Sequence, residues 1–190
     1  HRAARLASER QSPLLVLGTS FALVYLLDAL HGDTLNCHRR TVVMQTGGFK
    51  GKSREIPAAE LRREVARAFR ILPERVITEY GMTELSSQLY EGTLPGAELE
   101  GPEGLLIPPP WLRVDALDPA TLRPVPGGEP GLARFIDLAN VDSAVSVVTQ
   151  DLIVRDGHGI RLLGRNPGAV PRGCSLAVEE LAAASKDFRG

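Results

Sequence analysis

Six consecutive residues, Glu79-Tyr80-Gly81-Met82-Thr83-Glu84, bring together the groups that holding an adenylate requires. An aromatic ring can stack on a purine, a threonine hydroxyl can bond an α-phosphate, and a carboxylate can hold Mg2+. Upstream, Thr46 to Ser53 has the look of a phosphate-cradling loop, which needs Gly, four residues and then Gly-Lys-Ser/Thr. Two features oppose that reading. Thr46 occupies the first glycine position, and the helix signal begins only at Pro57, whereas a phosphate loop must open its helix at Gly-Lys. What the loop does offer is Gly47-Gly48, where backbone can approach a ligand because no Cβ intervenes. Taken alone it is an ordinary glycine turn.

The elements that must position these residues follow from hydrophobic patterning. Pro13 to Gly18 carries four unbroken apolar residues and reads as a buried strand. Thr19 or Ser20 can cap the helix Phe21 to Leu30, apolar almost all round and so expected to be buried, with Gly32 and Asp33 ending it. Thr41 to Gln45 is a second, β-branched strand. From Pro57, a natural first helical residue, Leu61, Val65 and Phe69 recur at helical spacing, with Arg62, Arg63, Glu64 and Arg67 on the other side. Arg75 to Thr78 is a third strand that runs into Glu79. Strand, helix, strand, helix, strand implies a parallel sheet with crossover helices, and ligands bind at the carboxyl ends of such strands.

After residue 95 the texture changes to Pro, Gly and short β-rich runs: Leu105–Ile107, Trp111–Leu117, Leu132–Leu138, Ala144–Val148, Leu152–Val154 and Ile160–Leu163. Asp156-Gly157-His158-Gly159 is a hairpin turn, with His158 an exposed turn residue. Val178 to Ala184 reads as a last short helix. The fold class is therefore α/β: a parallel βαβ sheet followed by a mostly antiparallel β unit. Its divisions are expected at 1–95 (α/β), 96–163 (β-rich) and 164–190 (hinge and short tail).

Composition bounds the function. A chain of 190 residues with 43% hydrophobic residues can bury a sizeable core, and a formal charge of −1 gives no electrostatic footprint for nucleic acid or an anionic membrane. Two distant cysteines, Cys37 and Cys174, do not make a disulfide scaffold, so a cytoplasmic setting is expected. The run Phe21 to Leu27 is too short to span a bilayer, so no membrane insertion is expected.

Tyr80-Gly81-Met82-Thr83-Glu84 at the end of a strand resembles the signature of the adenylate-forming superfamily, which includes acyl-CoA synthetases, peptide-synthetase adenylation domains and luciferases. The resemblance extends to Gly47-Gly48, where that superfamily contacts adenine, and to Thr149-Gln150-Asp151, where its Thr-Gly-Asp binds the ribose hydroxyls. It also extends to Gly164-Arg165, its hinge pair. Read singly, Asp151 is a solvated strand residue and Arg165 a surface charge; the ordered set carries the resemblance, and Gln150 in place of glycine departs from it. Three stretches are most similar to the acyl-protein synthetases of LuxE type, which activate fatty acids for reduction to aldehyde in luminous bacteria. They are Thr46 to Gly51, Glu79 to Leu85 with Ser87 to Tyr90, and Arg172 to Glu180.

The resemblance implies ATP, AMP and Mg2+ as ligands, with Gly47, Gly48, Tyr80, Gly81, Met82, Asp151 and Arg165 around the nucleotide. It implies catalytic roles for Thr83 and Glu84, with Glu84 on the metal. A fatty acid or other carboxylic acid would become acyl-AMP, and a thiolate would then attack the mixed anhydride to give a thioester. Cys174 is the implied acyl-carrying thiol, with Arg172 beside it to favour the thiolate; the alternative is a small packing residue, as expected for Cys37. An acyl reductase or acyltransferase would be the partner. Only 25 residues follow Arg165, which suits transfer to a protein thiol better than to coenzyme A. The superfamily's lysine-ending phosphate loop is absent, so the sequence reads as the C-terminal portion of such an enzyme, inactive in adenylation by itself. Two alternatives stay open: an acyl- or aryl-CoA ligase of the phenylacetate type, and a non-catalytic adenylate-binding or partner-docking module.

Overall fold

The computed structural model describes residues 2–47, 56–94, 96 and 100–167. Helix α1 (Arg2–Glu9) leads into strand β1 (Leu15–Thr19), helix α2 (Ser20–Leu30), strand β2 (Val42–Thr46), helix α3 (Ala58–Phe69) and strand β3 (Val76–Tyr80). Six strands follow: β4 (Leu89–Glu91), β5 (Leu106–Ile107), β6 (Leu112–Leu117), β7 (Pro130–Asp137), β8 (Ser146–Asp156) and β9 (Gly159–Arg165). All nine belong to one sheet in the order β1-β2-β3-β4-β5-β9-β8-β7-β6. The pairs β1–β2 and β2–β3 are parallel and every later pair is antiparallel. The expected fold class is the one observed.

Local chemistry explains the crossovers. Thr19 leaves the strand in an extended conformation and its Oγ1 accepts from the Ala22 N–H at 3.4 Å, so α2 starts at once. His31 ends α2 in the left-handed region, its N–H bonded to the Asp28 carbonyl. Pro57 caps α3, and Leu61, Val65 and Phe69 pack with Leu23 and Val24 of α2 over Val43 and Val76 of the sheet. A second core joins Leu89, Leu106, Val114, Phe135, Ile153 and Ile160 beneath the antiparallel strands.

Several expectations change. Strand β1 is not a buried strand: Leu15 and Leu17 are 66% and 61% exposed and Val16, on the opposite face, is only partly buried against the helix-covered core. Helix α2 likewise buries one side, through Ser20, Leu23, Val24 and Leu30, and leaves Tyr25 exposed. Arg62 lies inside, at 4% exposure, rather than on the solvent side of α3. Its guanidinium bonds the Val76 and Pro73 carbonyls and the Glu91 carboxylate, and its Nε lies 3.2 Å from Glu103. Glu91 also accepts the Thr78 and Gly104 N–H groups at 2.7 Å each. The charge is tolerated because its carboxylate and carbonyl partners surround it.

The runs Ala144–Val148 and Leu152–Val154 prove to be one strand, β8, interrupted by a bulge opposite Ala133 rather than by a turn. The expected hairpin joins β8 to β9, with Asp156 paired to Gly159 and Gly157 at φ +57°. The helix expected at Val178 to Ala184 lies outside the described residues.

Candidate functional site

At the carboxyl ends of the parallel strands Thr19, Thr46 and Glu79 stand in register. The Thr46 hydroxyl donates to the Glu79 carboxylate, and the Ser20 hydroxyl donates to the Gly47 carbonyl at 2.6 Å. Gly47 has φ +65°, a conformation that favours glycine, and no atom of the described residues would meet a Cβ there within 4 Å. Gly47 is exposed. Gly48, its expected companion, lies outside the described residues.

Tyr80 ends β3 with its ring stacked on Phe135, at a centroid distance of 5.7 Å and an interplanar angle of 26°. Its hydroxyl donates to Asp151 Oδ2 at 2.6 Å, while Arg165 Nε donates to Asp151 Oδ1 at 3.2 Å. Burial pushes the Tyr80 phenol well above its ordinary pKa, and acceptance of its proton by the anionic Asp151 adds to that; Thr149 and Arg165 oppose it. The phenol is thus a fixed donor at neutral pH. With one ring face against Phe135, a stacked purine would use the other.

Two irregularities aim Asp151. Between Leu132–Leu152 and Arg134–Val148, residues Thr149, Gln150 and Asp151 face the single residue Ala133, so the Thr-Gln-Asp segment is the bulge. The Thr149 Oγ1 accepts the Asp151 N–H at 3.1 Å and fixes its shape. On the other side the β8–β9 register slips between Leu152 and Ile153, next to Gly164 at φ +116°, and Asp151 pairs directly with Arg165. Bulges commonly re-aim side chains beside active sites, and here both short motifs coincide with one.

Beyond Tyr80 the chain forms a loop, 81–88, before β4. A Cβ on Gly81 would lie 2.6 Å from Glu79 Oε1 and 3.1 Å from the Gln88 side chain, so a larger residue there would have to displace the Glu79 carboxylate that folds over it. Met82 packs against the second core, whereas Thr83 and Glu84 are exposed at the loop surface. Among the described residues no group of three or more His, Cys, Asp and Glu side chains could hold a metal by itself. Glu84 is a single exposed carboxylate, which fits Mg2+ taken up mainly through phosphates and water. Tyr80, Asp151 and Arg165 are joined directly; Gly47 adjoins them through Thr46 and Glu79; Gly81, Met82, Thr83 and Glu84 follow on the loop. Cys174 lies outside the described residues.

Sequence reasoning missed Phe135 as the platform for Tyr80, since an apolar residue in an apolar strand carries no chemical signal. It also passed over Asp137 and Asn140, which hold the far end of loop 81–88. Asp137 at the end of a strand, with Asn140 in the turn that follows, was the available sign.

The fold is that of adenylate-forming enzymes. A peptide-synthetase structure, McyG A-PCP complexed with phenylalanyl-adenylate, superposes with a TM-score of 0.60 at 17% identity, over 87% of this chain and 28% of that one. An open conformation of 2-hydroxyisobutyryl-CoA ligase with 2-HIB-AMP and CoA superposes with a TM-score of 0.59 at 18% identity, over 90% of this chain and 40% of that one. Residues 4–182 match the family described as acyl-protein synthetase, LuxE, and the chain belongs to that family of acyl-adenylate-forming ligases. The long-chain-fatty-acid–luciferin-component ligase of Vibrio harveyi is 28% identical over 165 residues, 82% of this chain and 41% of that protein. Its Aliivibrio fischeri counterpart is 33% identical over 79 residues, 37% of this chain and 21% of that protein. The chain thus spans about two fifths of the Vibrio harveyi relative. Among the described residues no helix is long and apolar enough to cross a membrane.

Proposed function

We propose that this chain is the nucleotide-holding, C-terminal part of a cytoplasmic ligase that activates a fatty acid with ATP and passes the acyl group to a protein cysteine. The observation that carries the reading is the Tyr80–Asp151–Arg165 constellation, built at two bulges beside the carboxyl ends of the parallel strands. Asp151 engages one donor at each oxygen, which leaves lone pairs on both for ribose hydroxyls. The exposed backbone of Gly47, with Gly48 next in the chain, would receive the adenine, and Tyr80 supplies its ring and fixed hydroxyl. Gly81 and Met82 carry the chain past the nucleotide to Thr83, which donates to the α-phosphate. Glu84 would hold Mg2+, which when bound would offset the negative charge of the phosphates.

In the first step a carboxylate oxygen of the fatty acid attacks the α-phosphorus; the bond to the bridging oxygen breaks and pyrophosphate leaves. In the second, a thiolate attacks the acyl carbonyl, the bond to the AMP oxygen breaks, and a thioester and AMP result. Cys174 is the proposed thiol, and an acyl reductase or acyltransferase the partner that removes the acyl group. Adenylation belongs to the longer polypeptide, and this portion alone is expected to bind AMP without catalysing.

The test uses the full-length protein with ATP, radiolabelled long-chain fatty acid and no coenzyme A. A hydroxylamine-labile label on the protein, lost on Cys174→Ser, is expected. Acyl transfer that strictly requires coenzyme A would instead favour an acyl-CoA ligase. Absence of fatty-acid-dependent pyrophosphate exchange would leave only a non-catalytic binding module.

A further inference from the structure

Loop 81–88 has no regular structure, yet it carries the two exposed side chains, Thr83 and Glu84, proposed to act on the phosphates. Its far end is fixed by two polar side chains from the end of β7 and the turn that follows. Asp137 is fully buried, at 0% exposure, and has four donors. Its Oδ2 accepts the backbone N–H groups of Ser86 (3.1 Å) and Ser87 (2.9 Å); its Oδ1 accepts the Ser87 hydroxyl (2.8 Å) and the Ala139 N–H (3.0 Å). Asn140, also buried, accepts the Ser86 N–H at 2.8 Å and donates to the carbonyls of Glu84 (2.8 Å) and Ala144 (3.0 Å). The Trp111 indole N–H closes the arrangement on the Ser87 hydroxyl at 3.0 Å.

A buried carboxylate without a cation is costly unless N–H and O–H groups take up its charge. Three of these four donors belong to the loop itself, so Asp137 is fully satisfied only when Ser86 and Ser87 are in place. The near end of the loop is fixed from the same strand: Phe135, two residues before Asp137 and on the same face of β7, carries the Tyr80 ring. One face of β7, with Asn140 beyond its end, thus brackets the loop at residue 80 and at residues 84–87. The hairpin continues through β8 to Asp151, which meets the Tyr80 hydroxyl.

We infer that Asp137 and Asn140 are positioning residues that clasp the loop and set Thr83 and Glu84 at a defined distance from the Asp151 end of the site. This rests on the adenylating reading of the site. It assigns to the β7–β8 hairpin the alignment of phosphate-side and ribose-side groups, and a misplacement of about 1 Å in such groups can cost on the order of a hundredfold in rate. Asparagine at 137 keeps the size but has one acceptor oxygen, and it turns an amide N–H2 toward the loop donors.

The test measures fatty-acid-dependent pyrophosphate exchange and amide hydrogen exchange on the full-length protein and its Asp137→Asn and Ser87→Ala variants. Asp137→Asn is expected to lower kcat at least about tenfold while KM for ATP and for the acid stays within about threefold. The Ser86 and Ser87 amides should exchange at least about tenfold faster, while those of Val43 and Val76 are unchanged. Ser87→Ala, which removes a single hydroxyl, should move kcat in the same direction by a smaller factor, and it decides the matter if Asp137→Asn does not fold. A folded variant with freed Ser86 and Ser87 amides and wild-type kcat would overturn the inference, as would a loss expressed in KM alone. A wild-type protein that exchanges no pyrophosphate would instead remove the adenylating reading, and the clasp's role with it.

Discussion

At the residue scale, the candidate site depends on protons held in fixed places. Removing the Tyr80 hydroxyl should leave Asp151 short of a donor that is otherwise 2.6 Å away. Tyr80→Phe is expected to cost ~1–3 kcal/mol of stability, the usual range when a buried group loses its partner to a charged acceptor. It should also weaken AMP binding in isothermal titration; a variant as stable and as tight as wild type would contradict the geometry. Asp137 predicts a pH effect whose sign follows from its surroundings. Burial raises its pKa, but the Ala139, Ser87 and Ser86 donors more than offset this and hold it below the ordinary carboxylate value. Its contribution to stability is therefore complete above the unfolded aspartate pKa of about 3.9 and is lost as pH falls through the lower folded value. Urea midpoints measured from pH 5 downward should fall less steeply in Asp137→Asn than in the wild type.

At the scale of elements, Arg62 ties α3 to the start of β3 and, through Glu91, to β4 and the segment before β5. Arg62→Ala leaves Glu91 buried without its cation and should destabilise the protein by roughly 3–5 kcal/mol in denaturant titration. A change below about 0.5 kcal/mol, as expected of a surface arginine, would refute the internal ion pair. This residue also marks a limit of sequence reading. The β-α-β-α-β order, the cap at Thr19, the start of α3 to within one residue of Pro57 and the Asp156–Gly159 hairpin were all legible, because periodicity and turn chemistry are local signals. Arg62 was not, since its partner Glu91 lies 29 positions away and helical spacing alone assigns it to the wet face. The bulge at Thr149–Asp151 was read as a break between two strands, because a bulge and a turn both interrupt alternation. The same holds for the site: Tyr80, Gly81, Asp151 and Arg165 were recognisable from short motifs. Phe135, Asp137 and Asn140 act only through contacts that the register of β7 creates.

At the scale of the molecule, one sheet runs from an exposed parallel edge to an antiparallel end, and the candidate site lies near the passage between them. The outer edge, β1, shows Leu15 and Leu17 to solvent on a face that α2 and α3 do not cover. An apolar edge strand is a template for self-association. Leu15→Lys with Leu17→Thr should raise the monomer fraction of this chain in sedimentation velocity, with stability changed by no more than about 1 kcal/mol since neither side chain is buried. Unchanged association would show that the edge is not the sticking surface. The claim on which the rest depends is that the Asp151 constellation holds the nucleotide of an acyl-adenylating ligase. It is tested most directly by fatty-acid-dependent pyrophosphate exchange in the full-length protein, comparing wild type with Asp151→Ala. The expected result is exchange in the wild type that requires both the fatty acid and Mg2+-ATP, with KM for ATP raised at least about tenfold in the variant, the equivalent of about 1.4 kcal/mol of lost binding. Exchange that proceeds in Asp151→Ala with unchanged KM for ATP would contradict it.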